Sequence, residues 1–206
     1  LRTLEMLLGL KSEQRIGGMD PMEHNKKLHS EGKLSDEVMA NMERIATLPS
    51  LYEVLLRWLE RTPVNGVSGD KEVMTEFVES HISSMIEHGE KVISHMVKIG
   101  HGDEGTIRPR ITAGIDAARE FLLPRGEVSF ARAGLLFIES YRELPLLSWP
   151  RRLVDTVVDL EESMLLFRSH HARMVERMIG RRMGTGGSSG VDYLDMTLKS
   201  VSYTHL

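Results

Sequence analysis

Residues 148–190 read SWPRRLVDTVVDLEESMLLFRSHHARMVERMIGRRMGTGGSSG, and the fold class follows from how this stretch repeats. Ser148 can cap a helix and Pro150 suits a first helical turn, so the helix starts here. Behind them Leu153, Val157, Leu160, Met164, Phe167, Met174 and Met178 recur in steps of four and three, the seam of a long amphipathic helix. Position 171 continues that seam with a histidine. At 3.6 residues per turn, His171 faces where the core side chains face, while His170 points roughly 100° away. An inward imidazole must satisfy both ring nitrogens, so it is either hydrogen-bonded or bound to a metal. Spacing alone favours a hydrogen-bonded core histidine. The helix is predicted to end near Arg181 and Arg182, ahead of the run Gly184–Gly190. That run is not a phosphate-binding Walker loop, because no lysine follows its last glycine. By itself it reads as a flexible turn after a helix C-terminus.

Working outward, the rest of the chain is also helical in pattern. Leu1–Leu10 reads as the end of a helix, and Gly17, Gly18, Pro21 and Gly32 mark a loop region. Ser35 caps a helix bearing Val38, Met42, Ile45 and Leu48, without a full capping box. Pro49 opens a helix with Leu51, Val54, Leu55 and Trp58 on one face, closed by Thr62 and Pro63. Residues 70–98 form one long helix, broken at Gly100–Gly105, and residues 106–122 form the next. Pro124-Arg125-Gly126 turns the chain into a helix from Ser129 to Glu143 that stops at Pro145. No segment alternates with period two. The expected fold is all-α, a helical bundle of about six to eight helices with ligand space between them. His81, His88 and His95 recur every seven residues, about 10.5 Å of helix. Nitrogens so spaced cannot share one ion, whose bonds are near ~2 Å, so they read as a solvated or subunit-facing stripe.

Composition narrows the function. A chain of 206 residues holds one substantial core. The 41% hydrophobic and 27% charged content is that of a soluble domain. A net charge of −4 argues against nucleic-acid binding. No apolar run is long enough to span a membrane, and no signal-peptide pattern is present. With no cysteine, disulfides and thiolate ligands are excluded, which suits a cytoplasmic protein and leaves His, Met and carboxylates for any metal. Thirteen methionines supply adaptable packing, a property a flat prosthetic group would also use.

The segment from His171 to Gly180, the loop Gly184–Gly190 and the following Val191-Asp-Tyr-Leu194 resemble the C-terminal signature of haem-dependent tryptophan 2,3-dioxygenases. A histidine, a fixed fourteen-residue gap to Thr185 and a seven-residue glycine-rich loop carry the match. Pro49–Glu60 resembles the family's mid-chain helix, and Leu1–Gly9 the stretch after its substrate-binding segment. The resemblance covers residues 1–199 as the C-terminal part of a single domain, strongly at 129–199 and loosely at 64–125. Phe167 and His170 stand where relatives often have Trp and Arg. The tail 200–206, SVSYTHL, departs from the family and resembles translated sequencing-adapter sequence, so it is expected to be an artefact.

The resemblance implies oxidative opening of the indole 2,3-bond of L-tryptophan by O2, giving N-formylkynurenine, the first step of tryptophan catabolism by the kynurenine pathway. It implies haem b with ferrous iron, His171 as the axial ligand, and a cytoplasmic homotetramer. Thr185, Gly186, Gly187 and Ser188 would bind the amino acid's ammonium and carboxylate, glycine allowing close backbone approach. The helix runs about 15 Å beyond His171, so the loop must fold back toward the haem edge. The family's distal residues would precede Leu1, and the 206-residue chain alone is expected to be inactive. The alternative is a haem-binding or sensor module on the same scaffold that does not oxygenate.

Overall fold

The computed structural model describes residues 7–9 and 21–179. Its elements are α1 (Pro21–Ser30), α2 (Asp36–Ala46), α3 (Leu51–Glu60), α4 (Lys71–Lys98), α5 (Glu104–Leu122), α6 (Phe130–Ser140) and α7 (Ser148–Ile179). Short 3-10 turns lie at Pro124–Gly126 and Pro145–Leu147. Among the described residues the β-type pairing is a lone bridge between Val64 and Val67. The all-α expectation therefore holds. The chain divides into two compact units, Leu1–Leu55 with Trp149–Leu206, and Leu56–Ser148.

In the second unit, α4 is capped by Asp70, whose carboxylate accepts the N–H groups of Glu72 and Val73. It packs along α5, to which a tight reversal connects it. Gly100 and Gly102 take φ of 73° and 147° there, values that side chains with a Cβ resist. At Gly89 a methyl would come within 3.1 Å of Ile111 and Ile115, so the missing side chain lets the two helices approach. Arg108 on α5 binds Glu90 of α4 and Glu104 one turn earlier. The Arg108 hydrogen bonds hold the Glu90 carboxyl below its ordinary value. The core joins Val64, Met74, Phe77, Val78, Ile82, Leu122, Leu123 and Ala133. Phe77, Phe137 and Tyr141 cluster beside it, with Phe77 and Phe137 edge to face at 5.7 Å, a favoured aromatic arrangement. On α6, Gly134 lies against the backbone carbonyl of Leu59.

In the first unit, α1 packs on α2, with Met39 and Met42 buried and His29 bonded to Asp36 at 2.8 Å. Here the structure corrects the sequence reading, which took the region from Gly17 to Gly32 as loop. Pro21 begins α1, where a proline's missing N–H costs nothing. PMEHNKKLHS has too few apolar residues to show a helical period, and packing against α2 supplies what the pattern lacks. Similarly, the helix from Ser129 ends at Ser140, with Tyr141 as its cap, three residues short of the predicted Glu143.

The start of α3 carries a device the sequence reading passed over. The Glu53 carboxylate accepts from the Ser50 backbone N–H at 2.8 Å, and Ser50 Oγ accepts from the Glu53 N–H at 3.3 Å. This is a reciprocal capping box, legible as Ser-x-x-Glu directly after Pro49. Ser50 is 9% exposed, so its bonds lie largely out of water. Replacing Ser50 with alanine is expected to cost about 1 kcal/mol, seen as a lower urea midpoint with an unchanged slope.

Candidate functional site

The candidate site lies on α7, a helix of 32 residues. Its beginning differs from expectation in detail. Ser148 does not cap; its hydroxyl donates to the Pro145 carbonyl at 2.8 Å, because the turn Pro145–Leu147 runs directly into the helix.

The apolar seam is only partly inward. Leu153, Val157, Met164 and His171 are half-buried. Leu160, Phe167, Met174 and Met178 are exposed, the last two at 51% and 75%. The half-buried face also takes in Val154, Glu161, Leu165 and Val175. A strict three-and-four repeat drifts by roughly 20° per heptad on a straight helix. Over 32 residues the seam therefore drifts, and Phe167, Met174 and Met178 near its end are exposed.

His171 sits at the edge of these two faces. Its ring stacks on Phe167, with centroids 5.9 Å apart and planes 22° from parallel. The two are four residues apart and so adjacent on the helix. Among the described residues, nothing hydrogen-bonds either ring nitrogen. His170 is exposed and lines an open depression with Arg173, Met174, Arg177 and Met178. Thr185, Gly186, Gly187 and Ser188 lie outside the described residues, as do Arg181 and Arg182.

Glu161 is the titratable group on this helix that sequence reasoning missed, though a glutamate between Val157 and Met164 was a signal for it. Burial pushes its carboxyl up to about 6, against an ordinary 4.5. A raised folded-state value means the folded chain binds this proton more tightly than the unfolded one. The stability it contributes is full below about pH 4.5 and is lost as pH rises through about 6. Glu161 is only half-buried, so solvent screening holds the effect to about 1 kcal/mol or less. Glu161→Gln is expected to remove this loss, so its stability advantage over the native chain should be larger at pH 7.5 than at pH 4.5 in urea melts.

The donor set limits what the site could hold. Among the described residues there is no group of three or more His, Asp or Glu side chains placed to bind a metal ion. On α4, His81 is half-buried and His88 and His95 are exposed. A macrocyclic iron group makes a smaller demand, because it brings four donors and needs one axial side chain. His171 fits that demand: a half-buried imidazole with no hydrogen-bond partner among the described residues, an aromatic face beside it and exposed thioethers further along. No helix among the described residues is long and apolar enough to cross a membrane.

Comparison with known proteins gives the family. The family model described as Tryptophan 2,3-dioxygenase matches residues 1–204. A tryptophan 2,3-dioxygenase-like protein of Xanthomonas campestris is 38% identical over 218 residues, covering 100% of this chain and 80% of the relative. The tryptophan 2,3-dioxygenase of Sorangium cellulosum is 40% identical over 210 residues, covering 96% of this chain and 51% of its own length. Tryptophan 2,3-dioxygenase 2 of Ralstonia nicotianae is 39% identical, with 96% and 57% covered. The chain thus spans about half the length of the latter two. On the family match over nearly its whole length, the chain belongs to the tryptophan 2,3-dioxygenase family.

Proposed function

We propose that this chain carries the haem-ligand and substrate-loop part of a dioxygenase that converts L-tryptophan and O2 to N-formylkynurenine. Both oxygen atoms enter the product as the indole 2,3-bond opens. The observation that carries the reading is His171, a half-buried imidazole with no hydrogen-bond partner among the described residues, fourteen residues before Thr185. Family membership supports it. Bound haem b would supply the iron at which dioxygen is activated. His171 would hold that iron through one ring nitrogen, and the Phe167 ring would restrict its rotation. Thr185 and the backbone of Gly186, Gly187 and Ser188 would hold the substrate's ammonium and carboxylate and so orient the indole. The whole protein would be a cytoplasmic homotetramer, with 1–199 as the family domain and 200–206 as a non-family tail.

The test begins with haem titration of the chain, for which a Soret band is expected. Joining the chain to the preceding segment of the Sorangium relative, then adding tryptophan, reductant and O2, should give the near-ultraviolet absorbance of N-formylkynurenine. Haem uptake without product would favour a non-oxygenating sensor. No uptake by either protein would end the haem reading.

A further inference from the structure

We propose that Met174 and Met178 on α7 form an oxidation-sensitive pair, a site at which hydroperoxides modify this protein beside His171. The described methionines divide sharply by burial. Met39, Met42 and Met74 are 6%, 7% and 0% exposed, while Met174 and Met178 are 51% and 75% exposed. Met22, Met85, Met96 and Met164 are half-buried. The chain has no cysteine, so no thiol competes for the oxidant, and susceptibility passes to accessible thioethers.

Position gives the modification a consequence. Met174 and Met178 follow His171 by three and seven residues, so all three share a helix face. In the reaction a thioether lone pair attacks one oxygen of the hydroperoxide. The O–O bond breaks, an S–O bond forms, and the leaving oxygen takes the proton as water or an alcohol. Sulfur is oxidised by two electrons and the peroxide reduced by two. The product is a polar sulfoxide where an apolar side chain stood. Its oxygen is a hydrogen-bond acceptor in the depression that Arg173 and Arg177 also line, so guanidinium donors are at hand to retain it. Two apolar side chains three and seven residues beyond His171 become hydrated ones, and a flat apolar group against that helix face is held less well. That consequence rests on the function proposed above; the identity of the modified residues does not.

The test treats the native 206-residue chain with hydrogen peroxide for graded times and maps added oxygen by peptide mass. Met174 and Met178 are expected to oxidise at least about tenfold faster than Met39, Met42 and Met74, and denaturant should erase that order. Similar rates in the native chain, or Met174 and Met178 lagging, would overturn the assignment. In a second arm, chain oxidised before haem is added should pass haem to apomyoglobin several-fold faster than untreated chain. The M174L/M178L chain should show no such change. Equal transfer before and after oxidation refutes the link to the iron ligand. If neither the untreated chain nor its fusion to the preceding segment takes up haem, the proposed function falls while the mass map still decides the modification site.

Discussion

Gly134→Val is expected to unfold the Leu56–Ser148 unit at room temperature, and Gly134→Ala to destabilise it by about 2–4 kcal/mol. A Cβ at this position would overlap the Leu59 carbonyl oxygen and lie 3.0 Å from Thr62 Cβ. Neither neighbour can give way cheaply. Leu59 is 2% and Thr62 7% exposed, and the Leu59 carbonyl already accepts the Thr62 N–H at 3.0 Å. Relief requires α6 to move off, which opens the packing around Ala133 and Ile138, both fully buried. Alanine gains about 1 kcal/mol of helix propensity over glycine, so the net loss understates the clash. Gly114 in α5 is the control, because nothing lies within 4 Å of a Cβ built there. Gly114→Ala should leave the fold intact and raise stability by up to about 1 kcal/mol. Thermal and urea melts of the two alanine variants check the pair, and opposite signs are expected. A neutral Gly134→Ala would show that α6 does not sit on Leu59 in solution.

On the proposed function, His171→Ala is expected to weaken haem binding by at least about a hundredfold, since it would delete the ligand and not merely its support. The fold should survive, because His171 is only half-buried and alanine favours a helix. Far-ultraviolet circular dichroism should therefore match the native chain while the Soret band is lost. Added imidazole should restore part of the band by filling the space the side chain vacates. His170→Ala separates position from composition. His170 is exposed, on the next residue and a different face, so its removal should leave haem affinity within about twofold. Equal Soret titrations of His171→Ala and the native chain would eliminate His171 as the ligand, whatever the family.

These expectations show how unevenly the chain discloses itself. The breaks read at Gly100 and at Pro124-Arg125-Gly126 coincide with positive φ at Gly100 and Gly126. Such features are local, set by one residue's side chain or its absence, and periodicity plus turn chemistry reads them well. Helix α1 was illegible because its sequence is nearly all polar and its stability comes from a neighbour. The Ser50 and Glu53 box was legible and overlooked. Glu161 became a perturbed acid through burial, which the apolar seam on either side of it did not announce.

Taken alone, the amino-acid order determined the helical class, most helix boundaries, and a histidine placed fourteen residues before a threonine-bearing glycine loop, since each depends on contacts within a turn or two of helix. Only the tertiary structure decided how far each side chain of α7 is exposed, and that Gly134 must remain glycine. The second depends on the Leu59 carbonyl, distant in sequence, and the first on the exact rotation of a helix of 32 residues, over which small angular differences accumulate until a half-buried position becomes an exposed one.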